Sequence, residues 1–147
     1  MTATSQELEV DIKQEIQIDA KIEVAFAALL DEIGPSNQTP DGNPLRMVLE
    51  AFPGGRWYRD LGEGNGHHWG HVQAIKRPTL LEIYGPLFMS APVMNNIQYR
   101  LTEKDGGTLL SFRHTGFGPF PPDFAKNVMN GWKPLHDRIK AHAEGRK

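Results

Sequence analysis

Cysteine is absent from the 147 residues. That removes a disulfide framework, a thiolate nucleophile and a zinc-thiolate site, and leaves no need of an oxidising compartment. Long apolar runs are missing as well. Met1 to Gln6 is polar and leads into alternation, with neither the apolar core of a secretion signal nor a run of about 18 apolar residues. Charge of one sign is nowhere concentrated: 16 basic and 18 acidic residues are interspersed for a net charge of -2. No electrostatic footprint for nucleic acid or an anionic membrane results. The expectation is a soluble cytoplasmic protein of one domain, because 147 residues bury one core and fall short of two.

What the chain does contain is two hydrophobic periods. Leu8, Val10, Ile12, Ile16 and Ile18 alternate with mostly charged or polar residues, which predicts a half-buried strand over Leu8 to Ile18. After Asp19, read as an N-cap, Ile22, Phe26, Leu29 and Ile33 form one stripe of an amphipathic helix that Gly34-Pro35 ends. Ser36 to Pro44 has no period and reads as a surface loop able to act as a flap. Short strands follow over Leu45 to Phe52, Arg56 to Asp60, His67 to Ile75, Thr79 to Tyr84, Met94 to Thr102 and Thr108 to Thr115, making seven in all. The turns between them are Pro53-Gly54-Gly55, Gly62 to Gly66 with Asn65-Gly66 as the tight pair, Lys76-Arg77-Pro78, Gly85-Pro86 and Asp105-Gly106-Gly107.

Past the prolines at 119, 121 and 122, Phe124, Val128, Trp132, Leu135 and Ile139 return to the helical period. This second helix spans about 20 residues. Gly131 and Pro134 in its middle predict a kink between Asn130 and Pro134, with the Asn130 carbonyl left without its usual donor. The order of elements is α+β. A curved antiparallel sheet of about seven strands wraps a long C-terminal helix, with one or two short helices after the first strand and a core over about 10–142. An apolar cavity between sheet and helix is expected unless Trp57, Trp69, Tyr99, Phe112 and Trp132 fill it.

Chemistry-bearing residues are few. His67, His68 and His71 invite a metal, but in a regular strand His67 and His71 lie ~13 Å apart and His68 points to the opposite face. Gly62 to Gly66 lacks the strand-to-helix context of a phosphate loop. Alternation puts Leu110, Phe112 and His114 on the inner face of the last strand, beside Ile97, Tyr99 and Leu101 on its neighbour. His114 and Tyr99 could orient a polar ligand group or move protons there, or could simply pack with their polar atoms satisfied. Phe117 to Phe124, with Leu87, Phe88 and Met89, could gate an entrance or form a homodimer contact. No nucleophile triad, carboxylate pair or nucleotide fingerprint stands in a convincing context, so neither a catalytic residue, a metal nor a cofactor is expected.

Four stretches carry a resemblance: Phe52 to Gly62, with its Pro53-Gly54-Gly55-Arg56-Trp57; Trp69-Gly70-His71-Val72; Leu109 to Gly116; and Gly131-Trp132 followed by Leu135 and Ile139. The chain resembles, from about Val10 to about His142, the SRPBCC (START-like, Bet v 1-like) superfamily. Within it, the branch named for the C-terminal domain of the activator of Hsp90 ATPase is the nearest in pattern. The resemblance implies a helix-grip fold and one of three roles. The first is non-catalytic binding of a small, mostly apolar molecule, with Trp57, Trp69, Tyr99, Phe112, His114, Val128 and Trp132 around it. The second is a polyketide cyclase or aromatase using His114 and Tyr99. The third is a chaperone-partner domain, although the better-known co-chaperones carry an additional N-terminal domain for which 147 residues leave no room.

Overall fold

A computed structural model describes residues 8–145. Its elements, in chain order, are β1 (Glu9–Ile18), α1 (Ile22–Ile33), β2 (Met47–Leu49), β3 (Arg56–Gly62), β4 (Asn65–Lys76), β5 (Leu80–Gly85), β6 (Met94–Lys104), β7 (Gly107–Phe117) and α2 (Phe124–Gly145). The seven strands form one antiparallel sheet in the order β1-β7-β6-β5-β4-β3-β2. Both helices lie against one face of it. This is the helix-grip arrangement that the periodicities predict.

Cross-strand register carries the alternation into packing. Ile97 stands opposite His114, Tyr99 opposite Phe112 and Leu101 opposite Leu110, and all six are buried, whereas Arg100 and Arg113 between them are exposed. A strand's side chains alternate faces, so one register choice settles which face of the whole sheet meets the helices. From the helical side Phe26, Leu29 and Ile33 of α1 and Val128, Trp132, Leu135 and Ile139 of α2 complete the core.

Four local expectations are corrected. Asp19 is not the N-cap of α1: Lys21 holds that position with no side-chain bond, and the Asp19 N–H donates to Glu144 Oε2 at 2.9 Å. The β3–β4 turn pair is Glu63-Gly64 and not Asn65-Gly66. Gly62 pairs with Asn65, and the two residues between them take φ of 57° and 79°, the left-handed pair of a hairpin whose twist matches its strands. β2 ends at Leu49 and not Phe52, because the Arg56 backbone N–H and Nε donate to Glu50 Oε1 at 2.8 Å each and fold residues 50–56 into a closed loop. Finally, Trp57 stands opposite Gly70 and Tyr58 opposite His68, so Trp69 is an extra residue in β4. Such a bulge reverses the parity of the strand beyond it.

α2 continues through Pro134. The proline withholds one N–H from the Asn130 carbonyl without ending the helix. α1 and α2 are joined by Glu32, whose Oε2 accepts from His142 Nδ1 at 2.7 Å and whose Oε1 lies 3.6 Å from Arg138 Nε. No helix among the described residues is long and apolar enough to cross a membrane.

Candidate functional site

A cavity of about 270 Å³ opens where the first half of α2 passes over the β3–β4 end of the sheet. Its floor is Trp57 and Trp69, packed edge to face at 5.0 Å between ring centroids. One wall is α2, through Val128, Gly131, Trp132 and Leu135, and the opposite wall is the segment from Asn37 to Leu45. Phe88 stands at the mouth, 39% exposed, with its ring 5.8 Å from Trp69 and 6.1 Å from Trp132.

Polar groups of the wall segment are largely committed. The Asn37 amide donates to the Ile33 carbonyl at 3.1 Å, and its oxygen accepts from the Gln38 N–H at 2.8 Å. Thr39 is tied through its hydroxyl to Asp41 and to the Asn43 N–H. A segment predicted as a loose flap is thus bonded to itself, with Gln38 bridging to Pro44. The indole donors are committed too: Trp57 Nε1 donates to the Ile33 carbonyl at 2.8 Å, Trp69 Nε1 to His67 Nδ1 at 3.0 Å and Trp132 Nε1 to His114 Nδ1 at 3.0 Å. What they present to the cavity is apolar ring.

Of the seven residues expected around a ligand, Trp57, Trp69, Val128 and Trp132 line this cavity. Tyr99, Phe112 and His114 are not among its lining residues. They belong to a buried polar network behind Trp132. Because Trp132 donates to His114 Nδ1, the proton of that imidazole sits on Nε2 and is donated to Asn95 Oδ1 at 2.7 Å. His136, on the buried stripe of α2, donates from Nδ1 to Gln14 Oε1 at 2.5 Å, so its Nε2 accepts from the Tyr99 hydroxyl at 2.9 Å. Burial lowers the pKa of His114 to about 4 and that of His136 to about 3, and raises that of Tyr99 well above the usual phenol value. All three are neutral at pH 7 with their polar atoms engaged.

Sequence reasoning missed His136, Gln38 and Asn127, and took Gly131 as a kink residue and not as part of the cavity wall. His136 follows Val128 and Trp132 at spacings of four, a signal masked by its polarity. Gly131 interrupts no contact: a Cβ there would meet nothing within 4 Å. Gln38 and Asn127 also line the cavity, and nothing in their local sequence distinguishes them from surface amides.

The histidines of β4 depart from the regular-strand expectation. The bulge at Trp69 puts His68 and His71 on the same outer face, with His68 Nε2 3.4 Å from His71 Nδ1 and the His71 ring stacked 5.9 Å from Tyr84. His67 faces the other way, toward Trp69. A second titratable cluster, Asp31, Glu32 and His142, gathers ligand-type atoms within 4.8 Å. Arg138 already supplies positive charge there. Of the loops expected to expose apolar side chains, Leu87 and Phe120 are buried, while Phe88 and Phe117 are open.

The fold and the cavity can now be set beside known proteins. The model of the Activator of Hsp90 ATPase homolog 1-like protein family matches residues 19–144. No curated protein matches the sequence. Among solved structures, CV1439 from Chromobacterium violaceum is 18% identical with a TM-score of 0.74, over 91% of this chain and 96% of that one. The di-domain ARO/CYC StfQ from the steffimycin biosynthetic pathway is 16% identical with a TM-score of 0.68, over 96% of this chain and 52% of that one, so the chain spans about half its length. Ara h 8.0201 is 15% identical with a TM-score of 0.66, over 92% of this chain and 97% of that one. Identities this low carry the fold alone. The match over residues 19–144 carries more: the chain belongs to the Activator of Hsp90 ATPase homolog 1-like family, within the SRPBCC superfamily.

Proposed function

We propose that this protein binds a small, mostly apolar molecule in the cavity between Trp57, Trp69 and the first half of α2, without chemical conversion. The observation that carries the reading is Gly131. A glycine in a helix interior costs about 1 kcal/mol relative to alanine, and here the glycine lines the cavity and a Cβ on it would meet nothing within 4 Å. The helix gives up stability where the space is gained. A cavity of about 270 Å³ lies just under the range of about 300–1,000 Å³ typical of drug-sized ligands, which suits a molecule of one or two rings.

Two other readings rest on kinship alone. A cyclase-like reaction needs a polar group free to move a proton at the ligand, and both nitrogens of His114 and the hydroxyl of Tyr99 are bonded inside the core. A chaperone-activating role is suggested by the family's name.

Native mass spectrometry of the purified protein tests the binding reading, followed by identification of whatever is released on denaturation and by titration with 2-naphthamide as a neutral probe. The expected result is a saturable one-to-one adduct in the wild type that Gly131→Leu removes while the fold is retained. Failure of the wild type to retain either a cellular molecule or the probe would overturn it.

A further inference from the structure

Building on the proposed binding role, we infer that the cavity selects uncharged, flat aromatic molecules over anions of the same shape, and that the amides of Gln38 and Asn127 are its polar readers. Among the described residues, no Lys, Arg, His, Asp or Glu lines the cavity. A guanidinium that reaches the wall segment, Arg138, donates from Nη2 to the Gln38 carbonyl at 3.1 Å and has Glu32 beside it, so its charge is both turned to backbone and offset. An anion entering would shed water and find no cation among the described lining residues.

Hydrogen-bond donors are scarce in the same way. All three indole N–H groups are bonded within the protein, and the side chains of Asn37 and Thr39 are held by their own segment. The amides of Gln38 and Asn127 make no side-chain hydrogen bond among the described residues, and both line the cavity, one from the wall segment and one from α2. A side-chain amide offers a neutral donor and a neutral acceptor together. That pair matches a carboxamide or phenol, which both donate and accept, whereas a carboxylate only accepts, leaves the amide oxygens unused and gains no charge partner for the water it sheds. Between these amides the surface is aromatic: Trp57, Trp69, Trp132 and Phe88 present rings against which a flat molecule stacks.

Calorimetry with 2-naphthamide and 2-naphthoate, which have nearly the same shape and differ in charge at pH 7, reads this directly. The wild type is expected to bind the amide at least tenfold more tightly than the carboxylate. Gln38→Lys, which brings a cation to the wall, is expected to narrow or reverse that ratio, and Asn127→Lys at the exposed rim to narrow it less. Equal affinity of the wild type for the two compounds would overturn the charge selection while leaving the binding role intact. Binding of neither compound would overturn this inference, and the binding role falls with it only where native mass spectrometry also finds no retained molecule.

Discussion

Trp132 Nε1 donates to His114 Nδ1 at 3.0 Å, and that single bond determines what His114 can do. It fixes the tautomer, commits Nε2–H to Asn95 and places the indole between the imidazole and the cavity. A histidine that the sequence offers as a reactive group becomes the anchor that holds a tryptophan ring as cavity wall. The neighbouring pair, Tyr99 and His136, is built on the same plan.

These buried histidines make stability fall with acid. The folded pKa of His114 is about 4 against an ordinary 6.5, and His136 is lower still at about 3. A group whose folded pKa is depressed binds fewer protons folded than unfolded, so stability rises with pH through that window. The contribution is intact above 6.5 and is lost progressively as pH falls toward 4, on the order of 3 kcal/mol for His114 alone. Urea denaturation at a series of pH values measures the slope. His114→Gln should flatten it while lowering stability at pH 7.

Tyr99→Phe removes the donor to His136 Nε2 in a fully buried setting. An unsatisfied buried acceptor costs about 1–3 kcal/mol, and chemical denaturation should register a loss of that size. Binding of a neutral aromatic probe should persist, because Tyr99 is not among the residues lining the cavity. Loss of binding with the fold intact would place Tyr99 at the ligand after all.

Two glycines should respond in opposite directions. Gly131→Ala adds a Cβ that meets nothing within 4 Å and relieves a helix-interior glycine, so it should stabilise by about 0.5–1 kcal/mol. Gly70→Ala puts a Cβ 2.4 Å from the Tyr84 carbonyl oxygen, a clash that rigid strands cannot absorb, and should destabilise by about 1–3 kcal/mol. Thermal unfolding of the two variants side by side settles the signs.

The sheet and α2 were legible because their periods extend over many residues: Leu110, Phe112 and His114 face inward as alternation requires. What escaped depends on single residues acting across the fold. The bulge at Trp69 is an extra residue only relative to β3, and no reading of β4 alone reveals it, so His68 and His71 were expected on opposite faces. Asn65-Gly66 has the chemistry of a tight turn, yet pairing of Gly62 with Asn65 displaces the turn by two residues. The four tryptophan and valine positions of the cavity were readable as large apolar groups near the grip. Gln38 and Asn127 were not, because a polar residue becomes a cavity residue only through the path of the wall segment and the angle of α2.

Ligand binding requires the space beside Gly131 to be open. Titration of the isotope-labelled protein with 2-naphthamide, followed through the indole N–H resonances of Trp57, Trp69 and Trp132, measures occupancy of that space residue by residue. The expected result is saturable shifts of all three indoles in the wild type and none in a folded Gly131→Leu variant. Unmoved indoles in the wild type, or shifts that survive Gly131→Leu unchanged, would contradict it.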